Sequence, residues 1–195
     1  STIKNAIILV HGPKGCVYHI NYILGLRGDR PSEIFSTCLD EHDVIFGAEE
    51  KLTRAITELD GTFHPDFLFV LSCCASGIIG EDVNAAVSGA SIRSRAIAIE
   101  SGGFEGDHAG GYKHTLARIA STLAEKTGES LPSTINLIGV LRAGPDLQEI
   151  RDILARSGIS VNAVLTAGLR KDQLLRMGDV SLNVVVCEAS GRDAA

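Results

Sequence analysis

The chain has 195 residues, a length that fits one large domain or two small ones. Hydrophobic residues make up 45% of it, enough for a buried core and unlike a disordered chain. Lys and Arg number 18 against 24 Asp and Glu, and the net charge of −6 excludes the basic footprint that nucleic-acid binding requires.

Short apolar, β-branched runs alternate with helical patterns along the chain. Residues 6–10 (AIILV) read as a buried strand, followed by the turn HGPKG and a helix over 16–26. Residues 33–37 form a weaker strand. Leu52, Ile56 and Leu59 share one face of an amphipathic helix over 47–59. A strand at 67–71 leads to a helix starting near residue 77 or 78. A strand at 96–99 is followed by a Gly-rich loop and a long helix around 112–126. The polar, Pro-containing stretch 128–133 (GESLPS) is the expected linker. Beyond it come a strand at 135–140, a helix at 146–156, a strand at 161–165, a short helix at 171–177 and a strand at 182–186.

Strands alternating with helices predict an α/β fold of Rossmann-like parallel sheets with helices on both faces. Runs such as AIILV and LNVVV are apolar on both faces, as in a sheet covered on both sides. The expected division is a first domain at 1–130 and part of a second at 131–195, cut short after its third strand. The first residues hold too short an apolar run for a signal peptide, and no run approaches the ~18 apolar residues of a membrane span. The expectation is a cytoplasmic protein with no membrane or nucleic-acid partner. Five cysteines without an export signal favour free thiols or metal ligands over a disulfide framework.

Ligands of open α/β sheets collect beyond the carboxyl ends of strands, near helix N-termini. Cys16 follows the first strand through HGPKGC, and Cys74 follows the strand at 67–71 through SCCASG. A thiol at a helix start is expected to have a lowered pKa and to favour the metal-binding thiolate. Gly12, Gly15, Gly77 and Gly80 flank the two cysteines and leave room for close backbone approach to a bulky group. Against this stands the plain reading of each cysteine as a buried structural thiol. The vicinal Cys73–Cys74 pair is an alternative redox thiol pair, against which stands the expectation that one of the two points into the sheet. Cys187 reads as core, and Cys38 is open between loop and ligand. GPKG lacks the spacing of a phosphate loop. His11 reads as a hydrogen-bonded strand-end residue or a cover for the site. Glu41, His42 and Asp43 read as a solvated capping turn. The stretch with Asp107, His108 and His114 reads as a substrate-facing loop or a plain connection.

Four ordered segments carry a family resemblance: HGPKGC (11–16), CLDEHDVIFGAEEKL (38–52), SCCASGIIGEDV (72–83) and GGFEGDHAGGY (102–112). Together they resemble the nitrogenase component 1 family. That family includes nitrogenase molybdenum–iron protein subunits, cofactor scaffold proteins, dark-operative protochlorophyllide reductase and nickel-sirohydrochlorin reductase. The later stretches, NLIGV through LNVVVC, resemble the start of the family's second domain. The resemblance implies Rossmann-like domains and an iron–sulfur cluster fed by an ATP-dependent iron–sulfur reductase. It implies Cys16 and Cys74 as the cluster ligands, with Gly15 and Gly77 beside them and Cys73 and Cys38 as further candidates. Two cysteines per chain suit a [4Fe–4S] cluster shared with a second copy or a paralogous subunit. No catalytic residue is assigned. The family's larger cluster takes a cysteine upstream of the first motif, and none of the 15 residues before Cys16 is one. The cysteine and histidine that anchor the nitrogenase cofactor lie largely in regions this chain lacks or does not match, so the resemblance does not imply dinitrogen reduction. Three functions stay open: an electron-relaying oxidoreductase subunit, a cofactor-assembly scaffold, and a metal-free small-molecule-binding domain.

Overall fold

The apolar runs become parallel strands, and the glycine-rich turns between them become the starts of helices. The structure, a computed structural model, describes residues 3–26, 33–104, 106–140 and 144–195. It divides into two compact units, Asn5–Gly106 and Asp107–Ala195, with Ile3 and Lys4 joining the second.

In the first unit β1 (Ala6–His11) leads to α1 (Lys14–Leu26), β2 (Ile34–Ser36), α2 (Glu41–Phe46), α3 (Glu49–Phe63) and β3 (Phe67–Ser72). Then come α4 (Cys74–Ile78), α5 (Val83–Gly89) and β4 (Arg95–Ile99). The four strands are parallel in the order β2-β1-β3-β4. β1 and β3 are the central pair, and Phe67, Leu68, Phe69 and Val70 are all buried. Burial along the whole run explains why β3 shows no polar alternation. Leu52, Ile56 and Leu59 of α3 pack on Ile7, Leu9, Leu68 and Val70, as their spacing predicts. Asp60 of α3 accepts N–H bonds from Arg93 (3.0 Å) and Ser94 (2.9 Å), pinning the start of β4 to the helix.

The helix expected from residue 77 or 78 is instead two short ones. Gly80 has φ +75°, which breaks the helical path, and Asp82 restarts it by accepting the Ala85 N–H at 2.8 Å. The charged turn at 41–43 is itself helix α2. Asp40 caps it, and the Asp43 carboxylate accepts the Asp40 N–H in return.

The second unit holds α6 (His108–Leu123), β5 (Leu131–Ile138), α7 (Pro145–Arg156), β6 (Ser160–Leu165) and α8 (Lys171–Leu175). A 3-10 turn (Arg176–Asp179), β7 (Val180–Val185), α9 (Glu188–Gly191) and a second 3-10 turn (Arg192–Ala194) complete it. Its strands are parallel in the order β6-β5-β7. α6 starts four residues earlier than its apolar pattern suggests, because Asp107 caps it by accepting the Gly110 N–H at 2.8 Å. It groups with the second unit, although it lies before the stretch where the sequence suggested a division. That stretch also already contains the first residues of β5.

β7 departs from expectation: Leu182 is 59% exposed and Val186 53%, so the described residues do not cover LNVVV on both faces. It is an edge strand. Across this sheet runs a polar chain. Asn162 Nδ2 donates to Asn136 Oδ1 (3.0 Å), and Asn136 Nδ2 donates to Asn183 Oδ1 (2.7 Å) and to the Met177 carbonyl (2.9 Å).

Candidate metal centre

In the first unit the chain passes from β1 to β2 on one side and to β3 on the other, so the strand order reverses between β1 and β3. Such a switch point leaves a crevice beyond the carboxyl ends of the two strands, where open α/β sheets bind ligands. The register aligns His11 with Ser72, so the turns after β1 and β3 open side by side. Those turns carry Cys16 and the Cys73–Cys74 pair.

The structure brings three of the five thiols together here. Cys16 lies in the first turn of α1 and is half-buried. Cys73 is buried, while Cys74, the first residue of α4, is exposed. The Cys16 thiol interacts with Cys73 and feels the charge of Cys74. Cys73 Sγ lies against the backbone of Gly12, where an added Cβ would stand 2.5 Å from the sulfur. Ser76 Oγ accepts the Cys73 N–H (2.8 Å) and lies 3.8 Å from Cys73 Sγ as a hydroxyl donor. Cys74 Sγ accepts the Gly103 N–H at 3.1 Å. This places the Gly-rich stretch after β4 against the outer sulfur; Glu105 of that stretch lies outside the described residues.

Gly15 and Gly77, next to the sulfurs on α1 and α4, are exposed, and a Cβ on either would meet nothing within 4 Å. Gly61 on α3 is equally open, so openness alone does not mark a site. What sets Gly15 and Gly77 apart is their position beside thiols.

One electrostatic expectation is overturned. Burial pushes the Cys16 thiol above its ordinary value, and the Cys73 and Cys74 thiols push it the same way. Desolvation and the charge of the neighbouring thiols both disfavour the Cys16 thiolate. A cation placed among the sulfurs reverses that balance. The thiol that is held low is Cys187, in the second unit. The Ser190 hydroxyl, and then the Ser190 and Ala189 N–H groups near its sulfur, favour its thiolate. Cys187 sits half-buried at the N-cap of α9 and is not a core residue, contrary to its reading from sequence. Cys38 is exposed with φ +55°; its thiol points to the Ser36 carbonyl at 3.7 Å, and Lys51 Nζ donates to the Cys38 carbonyl at 3.1 Å.

Sequence reading missed the polar clamp behind the sulfurs. His11 is fully buried, with Nδ1 3.0 Å from Thr37 Oγ1 and Nε2 2.9 Å from Glu81 Oε2. Thr37 Oγ1 also accepts the Gly12 N–H at 3.1 Å. The other Glu81 oxygen accepts the Ala48 N–H at the uncapped start of α3. One carboxylate thus ties the turn before Cys16, the segment after α4 and the head of α3. The only signal was the acidic residue closing SCCASGIIGE, and nothing local reveals its partners. A cleft of about 740 Å³ opens beyond Glu81, lined by Asp43, Phe46, Ala48, Glu49 and Lys51; it does not take in the cysteines.

Among the described residues no group of three or more His, Cys, Asp or Glu is arranged to hold a single metal ion. The donor chemistry fits an iron–sulfur cluster: soft sulfur donors, an N–H aimed at one of them, and open space beside both helix starts.

A family model described as nitrogenase component 1 type oxidoreductase matches residues 1–195. The chain is 36% identical to the nitrogenase iron-molybdenum cofactor biosynthesis protein NifE of Clostridium pasteurianum, over 96% of its own length and 42% of that protein's. It is 42% identical over 107 residues to component CfbD of the Ni-sirohydrochlorin a,c-diamide reductive cyclase complex of Methanothermobacter thermautotrophicus. That match covers 54% of this chain and 29% of CfbD. The solved structure of nitrogenase Cp1 at pH 6.5 superimposes with a TM-score of 0.84 at 28% identity, covering 98% of this chain and 39% of that one. The chain therefore spans less than half the length of these relatives.

Proposed function

The chain belongs to the nitrogenase component 1 type oxidoreductase family, and from that premise we propose that Cys16 and Cys74 ligate an iron–sulfur cluster. In this reading the chain is part of an oxidoreductase that relays electrons from an ATP-dependent iron–sulfur reductase to a substrate or metal cofactor.

One observation carries the proposal: adjacent parallel strands deliver both cysteines to the switch-point crevice, side by side. A bound [4Fe–4S] cluster supplies one-electron transfer at a potential set by charge, burial and hydrogen bonds to sulfur. The chain's own residues supply those settings. The Gly103 N–H at the Cys74 sulfur offsets negative charge there. Burial of Cys73 and the clamp behind Gly12 hold the two turns in place. Two ligands from one chain leave the remaining ligands to a second copy or a paralogous subunit. Among the described residues no helix is long and apolar enough to cross a membrane.

A second reading, a cofactor-assembly scaffold, is favoured by a specific observation. The similarity to NifE, a cofactor biosynthesis protein by name, extends over 96% of this chain. Anaerobic reconstitution with iron and sulfide tests the shared premise. Wild type is expected to take up iron and gain the broad visible absorbance of thiolate-bound iron, and Cys16→Ser/Cys74→Ser to lose both. A reduced wild type that binds no iron overturns the ligand assignment. The two readings then separate by function: oxidation of the cluster during turnover with reductase and ATP marks a relay, and its transfer to a metal-free acceptor marks a scaffold.

A further inference from the structure

Cys73 has no part in the ligand pair, yet its sulfur is the one that touches the turn carrying Cys16. Because the register ends with His11 beside Ser72, Gly12 and Cys73 are the next residues of the two neighbouring turns. Gly12 has no side chain, and Cys73 Sγ occupies the space a Cβ would take, 2.5 Å from that position. Cys73 is 7% exposed, whereas Cys16 is half-buried and within reach of solvent. The two thiols interact, and of the two Cys16 is the one open to a soluble disulfide, while Cys73 is shielded. Cys74 lies on the outer side, with its sulfur engaged by the Gly103 N–H.

We propose that, when no metal is bound, Cys16 and Cys73 form an intramolecular disulfide that withdraws Cys16 from the ligand set until a thiol reductant reopens it. The oxidant is a low-molecular-weight disulfide such as oxidised glutathione. The Cys16 thiolate attacks one of its sulfurs, forming a mixed disulfide and releasing one glutathione thiolate, which takes up the proton lost by Cys16. The Cys73 thiolate then attacks the Cys16 sulfur, closes the internal bond and expels the second glutathione, which takes up the Cys73 proton. Two thiols give up two electrons and two protons, and one glutathione disulfide becomes two thiols. The consequence for cluster loading rests on the cluster reading above. The bond itself rests on the adjacency of the two turns and the interaction of the Cys16 and Cys73 thiols across them.

The test uses the reduced, metal-free chain, treated anaerobically with oxidised glutathione, quenched in acid, alkylated and mapped by mass spectrometry. The expected product is a peptide pair linked through Cys16 and Cys73, with Cys38 and Cys74 outside the link. In Cys73→Ser the glutathione is expected to stay on Cys16, with no internal link. The oxidised wild type is expected to take up no iron until dithiothreitol is added, whereas reduced wild type takes it up directly. A link from Cys16 to Cys74, or free alkylatable thiols at both Cys16 and Cys73, overturns the disulfide. Iron uptake by the oxidised chain equal to that of the reduced chain overturns the lock. If the reduced chain binds no iron, the cluster reading falls, and the peptide map still decides the disulfide on its own.

Discussion

Gly12 is a position where one methyl group collides with a sulfur. An added Cβ would lie 2.5 Å from Cys73 Sγ and 3.0 Å from Cys73 Cβ, closer than packed atoms sit. The glycine of HGPKGC is therefore required by the neighbouring turn and not by its own backbone. Gly12→Ala is expected to lower stability by about 1–3 kcal/mol, the usual cost of overpacking, measured as a shift in the urea midpoint. In a Cys73→Gly background the same change is expected to cost clearly less. Equal costs in the two backgrounds contradict the contact. At this scale sequence reading was right about where the thiols sit along the chain but wrong about the Cys16 pKa. Helix position is visible in a sequence, whereas burial and neighbouring thiols come from residues almost sixty positions away. Gly103 escaped for the same reason: its N–H meets Cys74 only once β3 and β4 are paired.

Elements with a strong apolar pattern were legible. β1, β3, β4 and α3 fall within a few residues of their expected bounds, because burial dominates their energetics. Where a single polar or glycine residue decides, the pattern failed. Gly80 splits the helix after Cys74, and Asp107 starts α6 early. A repeated signal went unused: each second-unit strand carries Asn directly after an aliphatic residue, at Asn136, Asn162 and Asn183, and these side chains form the chain across the sheet. Glu81 joins more elements than any pattern suggests, linking β1, the segment after α4 and the head of α3. Glu81→Ala leaves the buried His11 Nε2 and the Ala48 N–H unpaired, and is expected to cost about 1–3 kcal/mol in urea unfolding. Glu81→Gln retains an acceptor for Ala48 and offers its amide to His11. That requires the proton to sit on Nδ1, which can donate to Thr37 Oγ1. The Gln variant is therefore expected to be more stable than the Ala variant and to show a changed imidazole tautomer in ¹⁵N NMR. Equal stability of the two variants contradicts the clamp.

For the molecule as a whole, fold and function meet at one place in the first sheet. The order β2-β1-β3-β4 reverses between the two most buried strands, and the thiols gather beyond their carboxyl ends. Alternating elements were enough to read a parallel α/β architecture from the sequence. The exposure of β7 was not readable, since an apolar run looks the same whether or not its own chain covers it. The claim on which the account turns is that Cys16 and Cys74 reach a common inorganic centre. Iron K-edge X-ray absorption of anaerobically reconstituted protein tests this most directly. The account predicts an all-sulfur iron shell in wild type and an oxygen contribution or loss of iron in Cys16→Ser and in Cys74→Ser, with Cys38→Ser unchanged. An iron shell that is the same in all four proteins contradicts it.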